Sequence, residues 1–261
     1  MTIKTNILLR YGSFGWKIFR SKQLAKKIDK WKNEDRYPEE WKYKWVSKRI
    51  GWFHRLFKVE TIVEGWDNIP KGAALLAPNH ISAGDGIVMF EALKNPSGSL
   101  SEYKHYPAYL AKVELKKNKF SGFMDMLNSM YVDRENIRQS VKVLNQFEEF
   151  IKDKKRVGII FPEGTRGNGK EIGEFKPGVF KIAQKGFLPI VPVTIINCDA
   201  STDIKRRKKI QVKVIFHKAI KPMDFISMDR KDIAKMVRSK VVSAWKPATD
   251  KKIGEVDAKL A

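Results

Sequence analysis

Two periods of apolar residues divide this chain. From Val59 onward short apolar runs alternate with longer stripes at helical spacing. Residues 59–63 alternate apolar and polar, as a half-buried strand does. Residues 73–78 form a continuous apolar run, as a strand covered on both faces does. Further strands are expected at 107–112, 130–132, 157–161, 188–196 and 210–216. Helices are expected at 86–93, 118–127, 135–152, 177–184 and 229–245. In the third of these, Ile137, Val141, Leu144, Phe147 and Ile151 make one stripe. Pro177 stands in the first turn of the fourth, where its fixed φ suits a helix start. Strands alternating with helices predict an α/β domain over residues 59–247, with a central, mostly parallel or mixed β-sheet flanked by helices.

Residues 1–58 follow the helical period alone. Ile7, Leu8, Tyr11, Phe14, Gly15 and Ile18, continued by Leu24, Ala25, Ile28 and Trp31, make one face, with lysines and arginines between them. Arg36-Tyr37-Pro38 breaks the pattern. A second helical stretch then carries Trp41, Trp45, Trp52, Phe53, Leu56 and Phe57 among basic residues. Five of the seven tryptophans lie in this segment. Tryptophan and lysine clustered on amphipathic helices predict a two-helix segment lying in a membrane–water interface. The same pattern also fits a helical pair packed on the core with a solvated basic face. Residues 248–261 show no pattern and read as a tail.

Composition narrows the partners. The 261 residues are 43% hydrophobic, enough for a substantial core. Lysine plus arginine number 52 against 29 aspartate plus glutamate, a net charge of +23. An anionic partner follows: a phospholipid surface, a nucleic acid or a phosphorylated substrate. The single cysteine, Cys198, permits no intrachain disulfide and reads as a small core residue. One cysteine and four histidines without zinc-like spacing predict no metal site. No window approaches the ~18 uninterrupted apolar residues of a spanning helix. Residues 1–20 are too interrupted by basic residues for a signal peptide. His54, His105 and His217 read as surface or packing residues. The run Lys205-Arg206-Arg207-Lys208-Lys209 reads as a solvated turn, or as a dock for anionic lipid or an acidic acyl carrier.

Chemistry concentrates in the loops that follow the strands. After the 73–78 run come Asn79-His80-Ile81-Ser82-Ala83-Gly84-Asp85. A histidine near a carboxylate suits general-base work, because the carboxylate holds one ring nitrogen protonated and leaves the other to accept a proton. Residues five apart on a regular helix sit about 140° around its axis, so they would not meet. The pair therefore requires a bend at Ser82–Gly84. The alternative is structural, with Asp85 capping a helix. Lys112, Arg134 and the run Glu163 to Arg166 also follow strands. Such loops gather at one edge of an open α/β sheet, and clustered cations beside a base suit a phosphorylated substrate with a hydroxyl to activate.

In this light the chain resembles the glycerophospholipid acyltransferases. Asn79-His80 through Asp85 is similar to their NHxxxxD motif, and Phe161-Pro162-Glu163-Gly164-Thr165-Arg166 to FPEGTR. Tyr131-Val132-Asp133-Arg134, Phe175-Lys176-Pro177-Gly178 and the apolar 188–193 run resemble three further motifs, all in family order. The resemblance is closest to the bacterial 1-acyl-sn-glycerol-3-phosphate acyltransferases. It implies His80 as base and Asp85 as its orienting partner, with Glu163, Gly164, Thr165 and Arg166 shaping the glycerol-phosphate site. Arg166 and Lys112 would hold the phosphate, with Arg134 beside them. It also implies an acyl-CoA or acyl carrier protein thioester as co-substrate, no cofactor, lysophosphatidic acid as acceptor, and a peripheral (monotopic) place on the cytoplasmic face of the cell membrane. Glycerol 3-phosphate or another lysophospholipid remains an alternative acceptor. A basic nucleic-acid-binding protein is a second reading, and no nucleic-acid motif supports it.

Overall fold

The computed structural model describes residues 37–94, 105–117, 121–203, 206 and 208–246, with six helical positions between Gly12 and Gln23. Most of the first expected N-terminal helix, the start of the expected 118–127 helix and the 248–261 tail lie outside the described residues.

Helix α1 (Glu39–Phe57) starts immediately after Pro38, with Glu39 and Glu40 in its first turn and His54 and Arg55 in its last. Both placements suit the helix dipole. Lys58 ends it in the left-handed conformation at φ 47°. The strands are β1 (Val59–Glu64), β2 (Ala74–Pro78), β3 (Pro107–Lys112), β4 (Met130–Val132), β5 (Val157–Ile159), β6 (Ile190–Ile196) and β7 (Ile210–Phe216). Between and after them come α2 (Asp85–Ala92), α3 (Ser121–Met126), α4 (Ile137–Asp153), α5 (Lys181–Gly186) and α6 (Arg230–Ser243).

The seven strands form one sheet in the order β1-β7-β6-β2-β5-β3-β4. Among these seven described strands, only the β6–β7 pairing is antiparallel. The others are parallel, so β2, β3, β4, β5 and β6 end at one edge of the sheet. Reversal at β7, and β1 parallel to it, brings the amino ends of these two strands to that same edge.

Every residue of β2 is buried. Its alternate residues serve two cores. Ala74 and Leu76 join α1 and α2 on one face, while Leu75 and Ala77 join α4, α5 and α6 on the other. The period of two produces this division. The α4 stripe divides too. Phe147 and Ile151 are fully buried, but Ile137 is 76% and Val141 38% exposed, because the first turns of α4 project beyond the end of β4.

Helix α1 belongs to the first core: Tyr43, Trp45 and Val46 are buried in it. This packing spans residue 58, where the sequence pattern changes. A buried cation anchors the helix. Arg156, 2% exposed at the head of β5, pairs with Glu39 and donates to the Tyr43 hydroxyl at 3.1 Å. The Tyr43 hydroxyl in turn donates to the Pro107 carbonyl at 2.6 Å. The guanidinium also lies over the Tyr43, Tyr106 and Phe150 rings. His54 is buried, and half-buried His217 shares a 2.8 Å hydrogen bond with Thr194, whose hydroxyl donates to the Val241 carbonyl.

Two predictions follow from this packing. Glu39→Ala leaves the buried guanidinium without its carboxylate, so urea denaturation should show a loss of about 3 kcal/mol. Glu40→Ala removes only the exposed pair with Lys44 and should change stability by under about 0.5 kcal/mol. Burial lowers the His54 and His217 imidazoles below their ordinary 6.5. A depressed folded value stabilises the fold above the unfolded value, and that stabilisation is lost as pH falls below about 6.5. The fall in Tm between pH 7.5 and 5.5 should therefore be smaller in His54→Gln/His217→Gln than in the unaltered chain.

Candidate active site

The chain leaves β2 at Pro78 and makes no regular structure until α2 begins at Asp85. Asn79 is fully buried and closes the top of the sheet. Its amide donates to the Ile195 carbonyl at 3.0 Å and accepts from the Ile195 N–H at 2.7 Å. The next residues bend, as the five-residue offset requires, and bring His80 Nδ1 to 2.7 Å from Asp85 Oδ2.

Asp85 organises this bend. Its carboxylate is fully buried, and Oδ2 also accepts from the N–H groups of Ile81 at 2.7 Å and Ser82 at 2.8 Å. An unpaired buried charge is costly, so these donors hold the loop in one shape. With Nδ1 donating to Asp85, Nε2 is the nitrogen left to accept a proton. The His80 side chain keeps 23% exposure, and its ring stacks on Phe161 with centroids 4.3 Å apart.

The β5 loop is clamped to the His80 loop twice. Glu163 Oε1 accepts from the His80 N–H at 2.6 Å, and the Gly167 N–H donates to the His80 carbonyl at 2.8 Å. Glu163 Oε2 accepts from the Gly173 N–H at 2.9 Å. The carboxylate is thus buried and turned inward, joining three loop segments. Burial raises its pKa, against the two backbone hydrogen bonds that lower it. Gly164 turns the loop at φ 76°, a conformation costly for other residues. Its carbonyl accepts from the Arg134 guanidinium. Arg134 therefore joins the β4 loop to the β5 loop rather than pairing with Asp133 or Glu135.

Thr165 and Arg166 are exposed at this edge, and Lys112 is half-buried at the end of β3. Among the described residues, neither the Lys112 nor the Arg166 side chain makes a hydrogen bond or ion pair with the protein. The fold therefore brings all eight candidate residues (His80, Asp85, Lys112, Arg134, Glu163, Gly164, Thr165 and Arg166) to one sheet edge. Direct contacts join His80 to Asp85 and Glu163, and Arg134 to Gly164.

Sequence reasoning passed over the support behind Asp85. A 3₁₀ turn, Asp199–Thr202, follows β6 and presses on the His80 loop. Ser201 Oγ lies 3.3 Å from both Ser82 Oγ and Cys198 Sγ, and all three groups are buried. Ser82 Oγ accepts from the Gly84 N–H at 3.1 Å. A Cβ at Gly84 would meet Ser201 Oγ at 2.2 Å, so glycine permits this approach. Burial, and then the Asp85 charge, push the Cys198 thiol up and keep it protonated. Isolated small polar residues carry no periodic signal, so no sequence pattern marks Ser201 or Cys198. Among the described residues, no group of three or more histidine, cysteine or acidic side chains is placed to hold a metal ion.

Known proteins share this fold and much of this sequence. Residues 60–196, just over half of the chain, match the family model described as Acyltransferase. A protein of Mycoplasma pneumoniae, named probable 1-acyl-sn-glycerol-3-phosphate acyltransferase, is 31% identical over 212 residues, 78% of this chain and 77% of its own. A protein of the same name from Mycoplasma genitalium is 30% identical over 228 residues, 82% of each chain. The crystal structure of the 1-acyl-sn-glycerophosphate (LPA) acyltransferase PlsC from Thermotoga maritima shares the fold. Its TM-score is 0.56 at 23% identity, over 93% of this chain and 92% of that one. With the family model matched over the strands and loops that carry His80, Asp85 and Glu163, and with relatives at this identity aligned over most of its length, the chain belongs to the acyltransferase family.

Proposed function

We propose that this protein transfers a fatty acyl group from a thioester, acyl-CoA or acyl carrier protein, to the sn-2 hydroxyl of lysophosphatidic acid, giving phosphatidic acid. The observation that carries this reading is the 2.7 Å contact between His80 Nδ1 and the buried Asp85 carboxylate, on a ring still 23% exposed. The relatives' names supply the acceptor.

His80 Nε2 takes the proton of the acceptor hydroxyl as its oxygen attacks the thioester carbonyl. A C–O bond forms and the carbonyl π electrons move to oxygen. Collapse of this tetrahedral species breaks the C–S bond. The leaving thiolate takes the proton back from the imidazolium, so the enzyme ends as it began. Asp85 holds the ring in the required tautomer and stabilises its charged form. General-base help of this kind is worth about 100- to 10,000-fold. Arg166 and Lys112, whose side chains have no protein partner among the described residues, hold the acceptor phosphate, with Arg134 shaping the same edge through Gly164. The inward-turned Glu163 serves by fixing His80 to the loop that carries Arg166.

The acceptor is a membrane lipid, and we assign the protein a peripheral place on the bilayer. Among the described residues, no helix is long and apolar enough to cross a membrane. Trp16 and Phe19 stand 60% and 58% exposed, with the Arg20 guanidinium 4.9 Å from the Trp16 ring centroid. Exposed aromatics beside a cation suit the interfacial zone. Helix α1 adds the exposed cations Lys44, Lys48 and Arg55 on the face turned from the core.

Two kinetic predictions follow. His80→Ala and Asp85→Asn should each lower kcat for acyl transfer to lysophosphatidic acid by at least about 100-fold, with folding by circular dichroism unchanged. Undiminished turnover in His80→Ala would refute the mechanism. Arg166→Ala should raise KM for lysophosphatidic acid about tenfold or more, with a smaller effect on KM for the acyl donor. An equal rise for both substrates would place Arg166 elsewhere.

A further inference from the structure

The sheet edge that carries His80 extends past β6 to the amino ends of β7 and β1. At this end lies an open cleft of about 280 Å³, lined by His54, Arg55, Lys58, Val59 and Lys209. At about 4.8 Å per strand, β1 lies roughly 14 Å from β2 across the sheet. The cleft and the candidate active site therefore share one edge without sharing residues.

The lining comes from separate segments: the last turn of α1, its left-handed cap, the head of β1 and the approach to β7. Arg206 fixes their arrangement. Its guanidinium donates to the carbonyls of Phe57, Lys58, Ala200 and Lys208, stapling the approach to β7 onto the end of α1. Arg55, Lys58 and Lys209 thus line the cleft, with Arg206 behind them. Glu60, at 2.9 Å from Lys209, and Asp203, beside Arg206, offset part of their charge, and Arg55 and Lys58 make further contacts of their own. A helix carboxyl terminus favours cations from its own last turn. It does not account for Lys209, which arrives from the other side. Gathered like charges are stabilised by an anion.

The opposite flank of the same edge identifies the source of that anion. Leu115, just past β3, is 39% exposed, and Ile137, just past β4, is 76% exposed. A soluble phosphate matches the cations alone. A bilayer surface matches both the cations at one end and the apolar side chains at the other, with His80 between them. We propose that the cleft binds the phosphate of an anionic phospholipid in the bilayer surface and so sets the active-site edge against the membrane. This deepens, and rests on, the membrane reading above.

The test uses the full chain. Arg55→Gln/Lys58→Gln is compared with Lys231→Gln/Lys235→Gln, which removes the same charge from exposed α6. Binding is measured by sedimentation with vesicles of phosphatidylcholine alone and with 30 mol% phosphatidylglycerol added (about one lipid in three, a common anionic load). A basic side chain at an anionic surface is worth about fivefold in affinity. The cleft variant should bind the anionic vesicles about 25-fold more weakly, while the α6 variant changes little and binding to neutral vesicles is unaltered. Unchanged binding in the cleft variant, or an equal loss in the α6 variant, overturns the proposal. So does a thermal stabilisation by inorganic phosphate that the cleft variant abolishes while vesicle binding stays intact, since that marks a soluble ligand. If the double variant does not fold, Lys209→Gln, altering an exposed side chain, should still give about a fivefold loss. Acylation of detergent-dispersed lysophosphatidic acid is measured alongside. Its absence in the unaltered chain refutes the proposed reaction, while the vesicle result still decides the cleft.

Discussion

A fully buried carboxylate that must find donors governs the local structure here. Asp85 lies at the first residue of α2, where water cannot reach it. Oδ2 is solvated instead by His80 Nδ1 and by the Ile81 and Ser82 N–H groups. Those three contacts exist together only if the chain bends between β2 and α2. The interaction that orients the imidazole is therefore also the one that shapes the loop carrying it. Glu163 repeats the device one strand away, accepting N–H groups from His80 and Gly173. Two buried carboxylates thus hold three loop segments in register, and a charge that is costly to leave unpaired resists relaxation of the whole edge.

Sheet topology decides what these loops can reach. Parallel pairing collects the carboxyl ends of five strands, which places the His80, Lys112, Arg134 and Glu163–Arg166 segments side by side. The antiparallel β6–β7 pair then carries α1's basic end to the same edge. A reaction between an amphiphilic lipid and a thioester needs an edge that is polar at the reacting atoms and adherent around them. Exposed Ile137 at one flank, His80 in the middle and the Lys58–Lys209 cleft at the other are arranged in that order.

Helix α1 shows why composition alone misleads about this segment. Tryptophan and lysine alternate along it, as in an interfacial helix. Yet Tyr43 and Trp45 are buried against α2 and α3, and Arg156 grips Glu39 from the head of β5. An aromatic face suited to lipid is equally suited to a protein core, because both exclude water, and periodicity cannot tell the two solvents apart. The α4 stripe shows the converse. Its spacing implies five buried residues, but the short β4 leaves Ile137 and Val141 without sheet to cover them.

Element order, the continuous apolar run of β2 that serves two cores, and the polar residue types following each strand are legible in the chain's own pattern. It also contained the five-residue offset that forced a bend between His80 and Asp85. These are local properties, carried by spacing along the chain. Folding is what turns Glu163 inward to hold His80, brings Arg134 to the Gly164 carbonyl, and sets Ser201 and Cys198 behind the Asp85 loop. The same holds for the meeting of Lys58 with Lys209. Those relations join residues 30 to 150 positions apart, over distances of a few ångströms that depend on strand order and register, and neither is encoded in any window of the chain short enough to show a period.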